Sequence, residues 1–437
     1  MKHLTITAIM AVMCIMPASA QWTLKQCVEH AIQHNISLKQ QRNVCRQREL
    51  DLSTARNARL PDLNASVSEN LSFGRGLTSD NTYTNNTTNS TSLALSTNIP
   101  ILTGMRIPHQ TKLAHLNLEA ATADLEKASN DISLKVAQYF MQAVYSRELA
   151  GVAQRQVETD SIQTERLKRM LEQGKASVAN VSQQQAALAQ SRLTLTQARN
   201  DMRVALLDLA QLLELQYTDS FSIVPDNNTA DATDIILSTD DIYRQAVTSR
   251  PEISAGLSRV KGADESVSIA KAALYPQLAL TGGLNTNYYK TSGLAADNFG
   301  KQMKNNFSPG IALSLSIPIF NRMQTRNSIR SAEYDRQNAE LSLENTRKTL
   351  YKEIQQVCLN TTAAQEKYRS STAALTSAND AFGLMKAKYE NGKANITEFN
   401  EAKTQLMKAE SEQLQARYEL QYQMRLVGFY TGKPIWQ

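Results

Sequence analysis

A chain of 437 residues has room for two or three domains, yet only 10 prolines and 16 glycines punctuate it and aromatics make up 6%. That is the composition of helical arrays, not of ordinary mixed globules. The formal net charge of +6 is spread along the chain, and without a basic block it excludes a nucleic-acid-binding patch. After residue 20 no run of 18 apolar residues occurs, so any membrane crossing falls to strands.

Residues 1–20 read as a signal peptide. Lys2 and His3 open it, an apolar run extends from Leu4 to Met16, and Ala18-Ser19-Ala20 supplies a small-x-small cleavage site. The mature chain is then expected to begin at Gln21. Met13 ahead of Cys14 is a poor fit to an acylation signal, so no lipid anchor is expected. The other cysteines are Cys27, Cys45 and Cys358, an odd number. Cys27 and Cys45 would lie about 27 Å apart on one helix, which argues against a disulfide framework.

Sliding the sequence on itself shows that it is written twice. Ala55-Arg-Asn-Ala-Arg-Leu-Pro61-Asp-Leu63 matches Ala270-Lys-Ala-Ala-Leu-Tyr-Pro276-Gln-Leu278 at an offset of 215. Ile99-Pro100-Ile101-Leu102 matches Ile317-Pro318-Ile319-Phe320, and Gly174-Lys175-Ala176-Ser177-Val178 matches Gly392-Lys393-Ala394-Asn395-Ile396, both at 218. Each repeat reads helix, strand, strand, long helix, tight turn, long helix. The first spans 21–217, a polar linker spans 218–241, and the second spans 242–437.

In the first repeat, Ala65, Val67, Leu71 and Phe73 alternate with Ser66, Ser68, Asn70 and Ser72. Leu93, Leu95, Ile99 and Ile101 likewise alternate with Ser92, Ala94, Ser96 and Asn98. This period of two predicts strands at about 62–74 and 90–101. In the second repeat, Leu278, Leu280 and Leu284 share a face, as do Phe307, Ile311, Leu313, Leu315, Ile317 and Ile319, predicting strands at about 276–289 and 307–319. Thr78 to Ser92 and Lys290 to Asn306 have loop compositions. One apolar and one polar face per strand suits a barrel wall with lipid outside and water inside; a half-buried sheet would show the same pattern.

No proline lies between Pro108 and Pro225, or between Pro318 and Pro434, so long helices are predicted at about 104–173, 177–214, 322–391 and 395–430. Val181, Leu188, Leu195, Met202 and Leu209 are spaced by seven, as are Phe399, Leu406, Gln413, Leu420 and Val427. A second stripe of Ala402, Ala409 and Ala416 lets helices approach closely. The longest helices would reach about 100 Å at 1.5 Å per residue, too long for one globular core, so they must pack laterally. Gly174 and Gly392 suit the left-handed position after a helix. Ser177 and Asn395 suit the next N-cap, with Glu398 placed for a capping box.

Four strands cannot close a membrane barrel, for which eight is about the lower limit, and open edges are not viable in lipid. Chains must therefore share one barrel, and strand arithmetic admits a dimer or a trimer.

The duplication, the Leu60-Pro61 and Tyr275-Pro276 strand entries, the Ser316-Ile-Pro-Ile-Phe320 exit, and Tyr389-Glu-Asn-Gly392 through Glu398-Phe-Asn-Glu401-Ala402 resemble the TolC outer-membrane efflux family over essentially all of the mature chain. The resemblance implies a homotrimer in the outer membrane of a diderm bacterium. A twelve-stranded transmembrane β-barrel shared by three chains would sit on an α-helical coiled-coil barrel in the periplasm, with 218–241 in an equatorial belt. It implies docking to a periplasmic adaptor and an inner-membrane transporter, as the passive exit duct of a tripartite efflux or type I secretion system. The hairpin tips at Gly174, Lys175 and Ser177 and at Gly392, Lys393 and Asn395 would contact the adaptor. By the same resemblance Tyr389 matches a tyrosine of the network that closes the duct, and Glu398 and Glu401 match an acidic pair lining the pore. The network's arginine falls at Ala394 and its first-repeat acid at Asn180, so those closing contacts cannot all form here. Read structurally, Glu398 is a capping residue, Glu401 a solvated helix position and Tyr389 a packing residue.

Cys27, His30 and His34 fall at i, i+3 and i+7 on one helix face, a spacing open to a metal. Their repeat partners Ile242, Gln245 and Ser249 point instead to a core cysteine and surface histidines. No phosphate loop, nucleophile elbow or zinc-helix motif occurs, so neither an enzyme nor a cofactor is expected. A periplasmic adaptor would carry one hairpin inserted in a Gly-rich β domain, and a trimeric structural coiled coil would lack the paired amphipathic strands. Neither matches two hairpins and two strand pairs.

Overall fold

The computed structural model describes residues 21–77, 81–217, 221–224 and 238–436. The signal-peptide reading and most of the 218–241 linker fall outside the described residues. In chain order the elements are β1 (Gln21–Trp22), α1 (Leu24–His34), α2 (Ile36–Asn57), β2 (Asn64–Leu77), β3 (Tyr83–Leu102), α3 (Arg106–Glu172), α4 (Val178–Leu212), β4 (Ser222–Ile223), α5 (Thr239–Ser249), α6 (Pro251–Ala272), β5 (Gln277–Thr291), α7 (Phe299–Asn305), β6 (Ser308–Ser316), α8 (Gln324–Glu390) and α9 (Ile396–Tyr430). They fall into two compact units.

One unit, 43–124 with 252–346, holds a four-stranded antiparallel sheet in the order β2-β3-β5-β6. The register aligns Val67 with Leu93, Leu95 with Leu284 and Leu280 with Leu313, so side chains of one parity form a continuous apolar face. That face is bare: Val67 is 72% exposed, Phe73 74% and Ile311 83%. The opposite face carries Ser, Thr, Asn and small residues, with Ser68 and Ser92 hydroxyls 3.0 Å apart across the strands. Among the described residues the outer edges of β2 and β6 have no strand partner. The strands join the helices at one end of the sheet, and the segment holding α7 joins β5 to β6 at the other.

Three details of this unit correct the sequence reading. The Thr- and Asn-rich stretch read as loop from Thr78 to Ser92 is strand from Tyr83 onward, because its backbone pairs with β2 throughout and with β5 from Thr88. The β-branched threonines favour that state. The loop read at Lys290–Asn306 contains α7, capped by Asn298, whose side chain accepts from Lys301 N at 2.9 Å. β6 stops at Ser316, ahead of Ile317 and Ile319, where Pro318 has no N–H to offer a ladder. In β3 the matching Pro100 is accommodated by a register shift between Pro100 and Leu102.

The other unit comprises the described residues up to Arg42, Leu125–Pro251 and those from Arg347. Its main core gathers Cys27, Val28, Ala31 and Leu38 with Val136, Phe140 and Val144 of α3, Leu209 of α4 and Leu213 just after it, and Phe429 and Ile435 near the last described residues. β1 and β4 pair in parallel, Gln21 with Ser222 and Trp22 with Ile223. Each repeat opens with two helices, not one. Asn35 takes an extended ψ of 131° between α1 and α2, and Arg250 a ψ of 128° between α5 and α6, the latter because a residue before proline is pushed out of the helical region.

Candidate functional site: the hairpin tips

Helices α3 and α4 meet in a turn of a few residues, and α8 and α9 meet in its copy. Gly174 has φ 71° and Gly392 φ 72°, the left-handed region that glycine enters without strain. Gly174 N donates to Leu171 O (2.9 Å) and Lys175 N to Met170 O (2.8 Å). Gly392 N donates to Tyr389 O (3.1 Å) and Lys393 N to Lys388 O (2.8 Å). Both are the paired bonds of a Schellman stop, which satisfy the last carbonyls of a helix. The following helix is capped at once: Asn180 N donates to Ser177 Oγ at 3.2 Å, and Glu398 N to Asn395 Oδ1 at 2.9 Å. Lys175 and Lys393 stand exposed beside the glycines.

A Cβ at Gly392 would meet nothing within 4 Å, so a substitution there acts through φ alone. Gly392→Val is expected to cost about 1–2 kcal/mol and to distort the tip. Amide hydrogen exchange at the tip should speed up while the flanking helices stay protected; unchanged exchange would contradict the placement.

Behind the turns Leu167, Val181, Ile396 and Phe399 form a small core that joins the two hairpins. Tyr389 stacks on Phe399 at 4.8 Å, and Phe382 tilts against the same ring at 5.6 Å. Burial raises the Tyr389 pKa, opposed by a hydrogen bond with Gln163 and the charge of Arg166. Its role within one chain is packing between helices. Glu398 completes the capping box, with Oε2 accepting from Asn395 N at 2.9 Å, while Glu401 is exposed one turn along.

Further from the tips lies a buried polar cluster that the sequence reading did not single out. Asp160 of α3 is 1% exposed and ion-pairs with Lys403 of α9, whose side chain is 7% exposed. Gln184 of α4, fully buried, donates to Asp160 Oδ1 at 3.1 Å, and Gln156 donates to Oδ2 at 2.9 Å. Lys403 Nζ also donates to Asn400 Oδ1 at 3.1 Å, and Asn400 Nδ2 to Gln184 Oε1 at 3.4 Å. The network ties the first hairpin to the second. A signal was present: Gln184 occupies the first-repeat place of Ala402, a polar residue set in the small-residue stripe.

The Cys27–His30–His34 trio does not converge. Cys27 is fully buried in the main core, and burial pushes its thiol up to about 12. His30 stacks on His34 at 4.1 Å and meets Trp22 edge-on at 5.2 Å; desolvation and then the neighbouring His34 lower its pKa. Among the described residues no group of three or more His, Cys, Asp or Glu is placed to hold a metal, and no helix is long and apolar enough to cross a membrane.

Known proteins are similar to this chain in sequence or in fold. OprJ, an outer membrane protein of Pseudomonas aeruginosa, is 27% identical over 158 residues, covering 36% of this chain and 32% of OprJ. The chain thus matches about a third of that relative's length. CusC, a cation efflux system protein of Escherichia coli, is 21% identical over 70% of this chain and 65% of its own. The CmeC outer membrane channel of Campylobacter jejuni superposes with a TM-score of 0.78 at 18% identity, over 94% of this chain and 85% of CmeC. The family model for outer membrane efflux proteins matches twice, at residues 27–214 and 242–429, once on each repeat. The chain therefore belongs to the outer membrane efflux protein family.

Proposed function

We propose that the protein is the outer-membrane exit duct of a tripartite efflux or type I secretion system in a Gram-negative bacterium. The observation that carries this reading is the four-stranded sheet with an exposed apolar face and two edges unpartnered among the described residues. Such a sheet is stable in lipid only when closed on itself. A homotrimer achieves this if β6 of each chain pairs with β2 of the next, giving a barrel of twelve strands in the range seen for outer-membrane barrels. The protein performs no chemistry. Transport energy comes from an inner-membrane transporter, and a periplasmic adaptor engages the hairpin tips around Gly174, Lys175, Ser177, Gly392, Lys393 and Asn395. Glu398 and Glu401 line the pore entrance, and Tyr389 helps to hold it closed.

Detergent extraction of the outer-membrane fraction tests the assembly. A trimer that survives mild detergent is expected, and a stable monomer would count decisively against the shared barrel.

A further inference from the structure

Along β5 the apolar-face residues change in character with height. Leu278, Leu280 and Leu284 give way to Thr286, Tyr288 and Lys290. The ten steps from Leu278 to Tyr288 amount to about 33 Å at 3.3 Å per residue. At a barrel strand's usual tilt that is roughly 25 Å of height, the thickness of an outer-membrane apolar band. Tyr288 falls at its upper edge and Lys290 just above.

β6 begins opposite Asn285, so among the described residues no strand lies beside the β5 edge above that point. α7 takes the place. The Gln302 side chain exchanges two hydrogen bonds of 3.0 Å with the Tyr289 backbone, and Asn306 Nδ2 donates to Asn287 O at 2.7 Å. On the apolar face Thr286 Oγ1 donates to Met303 O at 2.6 Å, and the Phe299 ring lies 5.3 Å from that of Tyr288. The helix is thereby pinned at the top of the apolar face, with Phe299 51% exposed and Lys301 and Lys304 open to the surroundings. Among the described residues the acids nearby are Asp297, 2.8 Å from Lys301, and Glu69, which accepts from Thr91. On β2 and β3 the same face repeats the pairing of cation with ring, Arg75 lying 5.9 Å over Tyr83.

Resting on the outer-membrane barrel reading, we infer that this rim is a binding site for the phosphate groups of the anionic glycolipid of the outer leaflet. Tyr288 and Phe299 sit at the boundary of acyl chain and headgroup, where amphipathic rings are favoured. Lysine stems can lie along an apolar edge, and the exposed Lys290, Lys301 and Lys304 would meet phosphate there, Lys301 giving up its Asp297 partner. α7 acts as the anchor that fixes these groups at one height.

The experiment uses the delipidated, full-length oligomer in neutral detergent. The probes are diphosphoryl lipid A, its dephosphorylated form and phosphatidylglycerol. The wild type should bind the diphosphoryl form at least about tenfold more tightly than the dephosphorylated one, and the preference should shrink with added salt. The triple variant Lys290→Gln, Lys301→Gln, Lys304→Gln should lose the preference while remaining an oligomer. Equal binding of the two forms, or a full preference in the triple variant, would overturn the inference. Equal affinity for phosphatidylglycerol would overturn the assignment to glycolipid. Failure of the wild type to form an oligomer would instead tell against the barrel reading.

Discussion

Replacing Asp160 with alanine is expected to loosen both hairpin tips while leaving the main core folded. The substitution strands the Lys403 ammonium in a site 7% exposed, and removing one partner of a buried ion pair costs about 3–5 kcal/mol. Gln184 and Gln156 lose their shared acceptor at the same time. The expected readout is hydrogen exchange faster by at least about a hundredfold in the tip amides. Amides around Val136, Phe140 and Leu209 in the main core should be unaffected. The double variant Asp160→Leu, Lys403→Met is expected to recover most of the loss, since an apolar pair of similar volume often serves as well as a buried ion pair. Single and double variants therefore separate the cost of an orphaned charge from the cost of altered packing. If Asp160→Ala exchanges like the wild type, the pair is hydrated in the assembled protein and does not tie the hairpins together.

Much of this organisation can be read from residue types alone, and the exceptions have physical causes. Gly174 and Gly392 announce their turns because the left-handed conformation disfavours other side chains, and the following Ser177 and Asn395 are side chains suited to capping. Along the seven-residue series Val181, Leu195 and Leu209 are buried, and the alternating members Leu188 and Met202 are half-buried. Compositions that serve two states are less legible. A water-facing strand and a polar loop both use Thr, Asn and Ser, so β3 from Tyr83 to Ser92 reads as loop until its pairing with β2 is known. α7 is too short for periodicity, and its place depends on Gln302 and Asn306 finding a strand edge that β6 leaves open. Asp160 and Lys403 are 243 residues apart; each alone resembles a solvated helix charge, and only the packing of α3 against α9 removes them from water.

The proposed pore entrance yields the other large effect. Glu398 and Glu401 lie one turn apart on α9, both exposed, and on the trimer reading their carboxylates repeat around a threefold axis. Clustered carboxylates at a constriction favour cations and attract multivalent ones most. Single-channel recordings should therefore show cation preference and block by a trivalent cation added from the periplasmic side. In the double variant Glu398→Gln, Glu401→Gln, the concentration for half-block should rise by at least about tenfold, because even exposed charge contacts are worth up to ~1 kcal/mol each and several are lost together. Folding of the tip should survive, because a glutamine side-chain oxygen can still accept from Asn395 N as Glu398 Oε2 does at 2.9 Å. Glu401→Gln alone separates the roles further. It touches no cap, so any loss of block in that variant reports the pore. Undiminished block in the double variant would leave Glu398 a helix cap and place the cation site on other residues of the duct.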